Sequence, residues 1–464
     1  MIDAIDRYLA DTHEAAVARL CDLLRIPSVS TDPAHAGDLM ASAAWTADHV
    51  HRIGLQAEVL TGAARPAVYA ESAKHDATRP TVLIYGHHDV QPPGDESRWA
   101  SPPFEPRVTP DGRIYARGAA DNKGQFFLQL RAVEAWNRVA GATPVNVKVL
   151  IEGEEEVGSP SLPALLEAHR RRLACDLVVV SDTPLWQPGR PALSLGTRGI
   201  TGLEVRVTGP DRDLHSGIYG GSVPNPIAVL ARMLAGLHDA AGRVTVPGFY
   251  DDVRPIPPDL RAHWEQLCQE LQATPEPIGC PPAGEHGYNV LERRWLRPTV
   301  EFNGITGGYQ GPGSNTIVPS WASAKITCRL VPNQHPQRIQ TTLRDHLQRL
   351  APVGVRVDLL LRESNAEPYS IDRSHPALAA AERVLTRVYG APPAWVREGL
   401  SLPILPLFKA MLGADTVLLG FCHPACNAHS FDEFFDAGEL HRGARAAAQF
   451  LAELPAHLAR EAPQ

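Results

Sequence analysis

Apolar positions follow two different rhythms along the chain, and the change from one to the other divides it. Over residues 1–53 the spacing is helical and predicts two helices: Ile5, Leu9, Val17, Leu20 and Leu24 form one stripe, and Gly54 is placed to stop the second. Short, mostly apolar runs follow at 82–85, 145–151 and 177–180, with helical stretches near 124–137 and 161–172 between them. Strands this rich in apolar residues, alternating with helices, predict an α/β unit whose mostly parallel sheet is covered on both faces. Past Gly196 the rhythm changes: residues 203–207 alternate apolar and polar, as a half-exposed strand does. A helix near 225–237, strands at 324–330 and 355–361 and a helix at 336–350 follow. A proline-rich stretch near 247–300 interrupts them, with Pro255, Pro257, Pro258, Pro281 and Pro282. This segment predicts a smaller α+β domain over 197–367, inserted into a discontinuous α/β domain of 1–196 and 368–464. The strand-and-helix rhythm resumes after Tyr369 and ends in a helix near 439–454.

Size and composition narrow the function more than the fold. The 464 residues suit two domains, and 44% hydrophobic with 21% charged residues is ordinary for a globular protein. A net charge of −8 offers no basic stripe to neutralise phosphates, so a nucleic-acid partner is not expected. No apolar run reaches the length of a membrane span. The seven cysteines are irregularly spaced; Cys422 and Cys426 form a CxxxC pair without a second pair, which reads as thiols rather than a zinc knot. A reducing cytoplasmic location is the expectation.

Chemistry-bearing residues gather after the predicted strands. The run at 82–85 leads into Gly86, His87, His88 and Asp89; the run at 145–151 leads into Glu152, Gly153, Glu154, Glu155 and Glu156; the run at 177–180 leads into Ser181 and Asp182. Between the first two lies a glycine-containing loop, Arg117 to Gly124, with Asp121 inside it. Singly these are ordinary: a His-x-Asp turn, a solvated acidic loop, a helix-capping Asp. Together they are not, because open α/β sheets bind ligands beyond the carboxyl ends of their strands. So many acids at one edge call for a neutralising cation, and mixed imidazole and carboxylate donors suit zinc, manganese or cobalt. Alternation along an extended chain puts Glu154 and Glu156 on one side and Glu155 on the other; the residues alone leave open which side faces a metal.

The segments GHHDVQP, ARGAADNKG, EGEEEVGS, SD, DLHSGIYGG, TCRLVPN, REGLSLP and NAHSFDE occur in the order seen in M20 metallopeptidases, over residues 80 to 435. The chain resembles that family, which contains dipeptidases, carboxypeptidases and N-acyl-amino-acid deacylases. The resemblance implies two divalent metal ions, one held by His87, Asp121 and Asp182 and the other by Asp121, Glu156 and His429, with Asp121 bridging. It also implies Glu155 as general base, Asp89 as the carboxylate orienting His87, and His215 as an oxyanion-stabilising group. Arg329 and Ser401 align with substrate contacts, Arg329 suiting a peptide's terminal carboxylate, and Asn315 and Thr316, which precede the Arg329 strand, are taken with them as substrate-binding residues. The GHxDVQP form and the long insertion are more similar to the carnosine and nonspecific dipeptidase branch than to the deacylases. A twofold homodimer through the inserted domain, with His215 serving the partner's site, is implied as well. Three positions depart from the family pattern: His88 replaces an aromatic residue, Asp432 an asparagine and Leu400 a small residue. The expected substrate is a small peptide. A deacylase or carboxypeptidase is the alternative, and a silent metal-binding or ligand-sensing protein is disfavoured because it would have no need of Glu155.

Overall fold

The computed structural model describes residues 1–62, 65–273, 279–363 and 365–458. They form two compact units: one of Met1–Leu195, Ile371–Val396 and the described residues from Leu407 onward, the other of Gly196–Ser370 and Arg397–Pro406.

In the first unit, strands Leu55–Leu60, Ala67–Ser72, Asn146–Glu152, Thr81–His87, Leu177–Val180, Asp415–Leu418 and Ala192–Thr197 lie side by side in that order. The four from Asn146–Glu152 to Asp415–Leu418 are parallel, and the flanking pairs are antiparallel. The Thr81–His87 strand is buried throughout, because helices cover both of its faces. Neighbouring side chains on a strand point opposite ways. Tyr85 meets Phe408 edge-on at 5.1 Å on one face. On the other, Gly86 lies under the helix Gly124–Ala140, where a Cβ on Gly86 would come within 2.6 Å of Phe126 and 2.8 Å of Asn122 Oδ1. The register sets His87 beside Glu152 and Tyr85 beside Val180, so three adjacent parallel strands end at one level.

The second unit is a four-stranded antiparallel sheet in the order Thr299–Gly307, Trp321–Leu330, Gly199–Thr208, Arg356–Leu361. Helices Pro226–Ala235 and Pro336–Arg349 supply Val229, Leu230, Met233, Ile339 and Leu343 to a core with Val205, Val207, Ala324 and Ile326. The proline-rich stretch contains helices Pro258–Ala273 and Val290–Trp295, joined by Trp264 and Trp295 with ring centroids 5.2 Å apart.

Three sequence expectations need correction. Residues 1–53 form three helices, Ile2–Asp11, His13–Leu24 and Ala36–Arg52, because the first stripe breaks at Thr12, whose hydroxyl donates back to the Tyr8 carbonyl at 2.6 Å. The stretch near 161–172 is two short helices, Leu162–Ala168 and Arg170–Leu173. Residues Arg397–Pro406 group with the second unit rather than the first. Hydrogen bonds explain this: Arg198 donates from its backbone to Leu400 O (3.0 Å) and from Nε to Gly399 O (2.8 Å). Among the described residues no helix is long and apolar enough to cross a membrane, and the seven cysteines are free thiols.

Candidate metal centre and substrate-binding residues

The level strand ends bring the sequence-predicted ligands together. His87, Asp121 and Asp182 offer donor atoms within 4.8 Å of one another, as do Asp121, Glu156 and His429. Asp121 belongs to both sets through different oxygens. Its Oδ1 lies 3.1 Å from His87 Nε2, and its Oδ2 lies 3.0 Å from His429 Nε2. Asp182 Oδ2 is 3.9 Å from His87 Nε2, and Glu156 Oε2 is 3.3 Å from His429 Nε2.

The histidine geometry fits a cation. His87 is fully buried, and its Nδ1–H donates to the Asp89 carbonyl at 3.0 Å. Its Nε2 faces the carboxylates, 3.1 Å from Asp121 Oδ1, without a well-formed hydrogen bond. Burial disfavours the charged ring, but Asp121, Asp89 and Asp182 outweigh it and raise the His87 pKa well above its ordinary value, a role that a cation would take over. An imidazole held from behind with an unsatisfied nitrogen facing acids is the arrangement of a metal ligand. Electrostatics agree. Burial raises Asp182 to about 7, with the Asp121 charge adding to it. Burial also pushes Glu155 well above the usual carboxylate range; His87 opposes this, while Asp182, Glu156 and Asp121 reinforce it. Burial works in the same direction on Asp121, but the imidazoles of His429 and His87 beside it win and hold it below its ordinary value. Four acids with two imidazoles form a set whose repulsion positive ions relieve.

Three details of this region were not readable from the sequence. The Glu155–Val157 segment is a 3₁₀ turn, not extended chain, so strict alternation does not govern its glutamates. Glu154 turns away, accepting Ser161 N–H at 2.6 Å, with Arg65 3.7 Å off. Asp89 has a second task beside the expected one. Its carboxylate lies 3.4 Å from His87 Nδ1, behind the ring with its own carbonyl (3.0 Å), and it also accepts the N–H groups of Glu155 (3.2 Å) and Glu156 (3.1 Å). Asp89 thereby ties the glutamate turn to the end of the His87 strand.

Two neighbours were quoted in the motifs without a role. Asn122 donates to Ser181 O (2.6 Å) and Asp182 Oδ1 (2.8 Å), and its own oxygen accepts the His87 N–H (3.3 Å). Gln91 donates to Glu156 Oε2 at 2.8 Å. Asn122 directly follows Asp121 and Gln91 lies two residues beyond Asp89, which was the available signal. His88 belongs to neither ligand set. It is buried, donates from Nε2 to Pro66 O at 2.9 Å, and burial lowers its pKa to about 4, keeping it neutral. Asp432 adopts a left-handed backbone (φ 55°), which short polar residues tolerate, and accepts the Ala100 N–H at 2.8 Å.

The second unit holds the remaining predicted residues in two groups. The two-residue strand Leu214–His215 pairs with Ile317–Val318, and Ser216 N donates to Thr316 O at 2.9 Å, setting Asn315 and Thr316 close to His215. His215 Nδ1 accepts the Gly217 N–H at 3.0 Å, so the neutral ring carries its proton on Nε2. Arg329 donates to Ser401 Oγ at 2.8 Å. Burial lowers the Arg329 pKa, with the Arg362 charge adding to it, and burial followed by the Arg329 charge lowers Arg198 to about 10. Guanidiniums crowded in this way suit an anion.

Comparison with known proteins decides the family. Residues 83–453 match the profile of Peptidase family M20/M25/M40. The chain belongs to this family. It is similar to the Cys-Gly metallodipeptidase dug1 of Schizosaccharomyces pombe, at 28% identity over 98% of each chain. It is similar to the Beta-Ala-His dipeptidase of Rattus norvegicus, at 30% identity over 84% of this chain and 80% of that one. In structure it resembles an M20 family metallo-carboxypeptidase from Sulfolobus solfataricus, with TM-score 0.81 and 32% identity over 95% of this chain and 99% of the other. Like other M20 peptidases, the chain is an α/β metallopeptidase whose acidic and imidazole groups form candidate metal sites.

Proposed function

We propose that this M20 peptidase hydrolyses the peptide bond of dipeptides and short peptides that end in a free carboxylate, using two divalent metal ions. The observation that carries the reading is Asp121, whose two oxygens face two separate sets of donors. His87, Asp121 and Asp182 would hold one ion, and Asp121, Glu156 and His429 the other. Zinc is the first assignment for such donors, with manganese and cobalt the alternatives. Bound there, the ions supply Lewis acidity toward a carbonyl and a more acidic water.

The chain's own groups do the rest. Glu155 takes the proton of the attacking water and hands it to the leaving amine. Asp89 holds the turn that presents Glu155. His215, with its proton on Nε2, donates to the oxygen that becomes negative as the carbonyl is attacked. Arg329, with Ser401, Asn315 and Thr316, receives the terminal carboxylate. The inserted unit serves as lid and dimer contact in a twofold homodimer, the commonest closed assembly. Exposed apolar side chains in that unit, among them Ile218, Tyr219, Ile305 and Leu360, support the contact. Free thiols accord with a cytoplasmic location.

Release of free amino acid from dipeptides, tripeptides, amidated dipeptides and N-acetyl amino acids, each with zinc, manganese and cobalt, tests this reading. Free dipeptides should be cleaved fastest. Amidation should slow cleavage by about 10²-fold or more, since losing a desolvated charge contact costs about 2–5 kcal/mol. Equal cleavage of free and amidated dipeptides would refute the clamp. Preference for N-acetyl amino acids would make the chain a deacylase. Preference for longer peptides would make it a carboxypeptidase, the reading that the likeness to the Sulfolobus enzyme favours.

The dimer arrangement has its own test. His215→Ala and Glu155→Gln homodimers should each be nearly inactive. After subunit exchange, verified by mass spectrometry, the mixed dimer should regain one working site if His215 acts on its partner's substrate. No recovery would leave His215 acting within its own chain.

A further inference from the structure

Glu433 is a fully buried carboxylate that the chemistry above does not use. Its surroundings are unusually complete. Oε1 accepts the backbone N–H groups of Ala120 (2.8 Å) and Asp121 (3.0 Å). Oε2 accepts the Gly118 N–H (2.9 Å) and Arg117 Nη1 (2.6 Å). All four donors therefore come from one short segment, which ends in the shared ligand Asp121. Gly118 makes this possible, since its left-handed backbone (φ 84°) turns successive N–H groups toward a common point.

The other end of the connection is equally specific. Glu433 lies four residues beyond His429, and its carbonyl accepts the Ala116 N–H at 3.0 Å. Arg117, itself buried, reaches back with Nη2 to Ser430 O at 3.0 Å, the residue after His429, and to Pro92 O at 3.3 Å. The neighbouring residues continue the contact as paired strands, Phe434 beside Tyr115 and Asp436 beside Arg113. Asp121 and His429 are 308 positions apart in sequence, yet the loops bearing them are fastened by one ion pair and its backbone hydrogen bonds.

A buried ion pair is a weak source of stability, because desolvation offsets most of its attraction and an apolar pair can fill the same space. An apolar pair could not, however, satisfy three converging N–H groups and so hold the loop's conformation. We propose that Glu433, with Arg117, is a positioning residue for the metal centre: it fixes Asp121 relative to His429 and thereby sets metal affinity. The inference rests on the two-metal reading of the site.

The test is calorimetric metal titration of metal-free wild type, Glu433→Gln and Arg117→Lys at a temperature well below each protein's unfolding midpoint. Glu433→Gln places an amide N–H₂ against donors. Its affinity for at least one ion should fall about 10–100-fold, the usual effect of removing a group that supports ligands. At saturating metal its KM should stay near wild type, because no substrate contact is lost. Arg117→Lys keeps the charge but cannot reach Glu433 and Ser430 together, so a smaller loss, about 3-fold or more, is expected. Folded Glu433→Gln with wild-type affinity for two ions overturns the proposal, even if its unfolding midpoint has dropped. If Glu433→Gln does not fold, unchanged affinity in Arg117→Lys overturns it. Wild type binding fewer than two ions would instead overturn the two-metal reading, and this inference with it.

Discussion

Glu155→Gln is expected to keep both metal ions and lose about 10²–10⁴-fold in kcat, the usual contribution of general acid–base catalysis. The substitution preserves shape while removing the proton-accepting oxygen. Glu155 lies in the 3₁₀ turn whose N–H groups bond Asp89, so the turn should survive the change. It belongs to neither ligand set, which is why metal content should hold. Turnover near wild type would remove Glu155 from its role. Loss of one ion would show that Glu155 and not Glu156 is the ligand.

Asp121→Asn should have the widest effect of any single ligand change. One carboxamide oxygen cannot face both His87 and His429, and the amide N–H₂ turned toward one site repels a cation. Both ions should bind more weakly, and activity should fall by about 10³-fold or more, since Lewis-acid stabilisation contributes several kcal/mol and each 1.36 kcal/mol is a factor of ten. Asp182→Asn and His429→Ala touch one ligand set each. Each should therefore weaken one ion and spare the other. A variant Asp121→Asn that retains two tightly bound ions would show that this carboxylate is not shared.

The sheet centre was legible because the runs at 82–85 and 177–180 carry no polar residue and 145–151 is interrupted only by Asn146 and Lys148, as strands covered on both faces are. Parallel strands then had to end at one edge, so the gathering of His87, the glutamates and Asp182 could be read from their positions alone. What escaped was set by backbone turns and long-range hydrogen bonds. The break at Thr12 depends on a side chain bonding the preceding turn, which leaves the apolar spacing undisturbed. Residues Arg397–Pro406 follow an α/β-type strand in sequence but are drawn to the second unit by Arg198. Asp89 was read as the carboxylate behind His87, and its second task, securing the N–H groups of Glu155 and Glu156, carries no signal in the motif. Glu433 stood at the end of the NAHSFDE motif, but its partners, 312 to 316 positions away, carry no local signal.

The most direct test of the two-metal account is elemental analysis of active wild-type enzyme across a metal titration. The account predicts that activity rises with occupancy, that it is abolished by chelators, and that bound metal reaches a plateau at two ions per chain. A plateau at one ion per chain in fully active enzyme would contradict it.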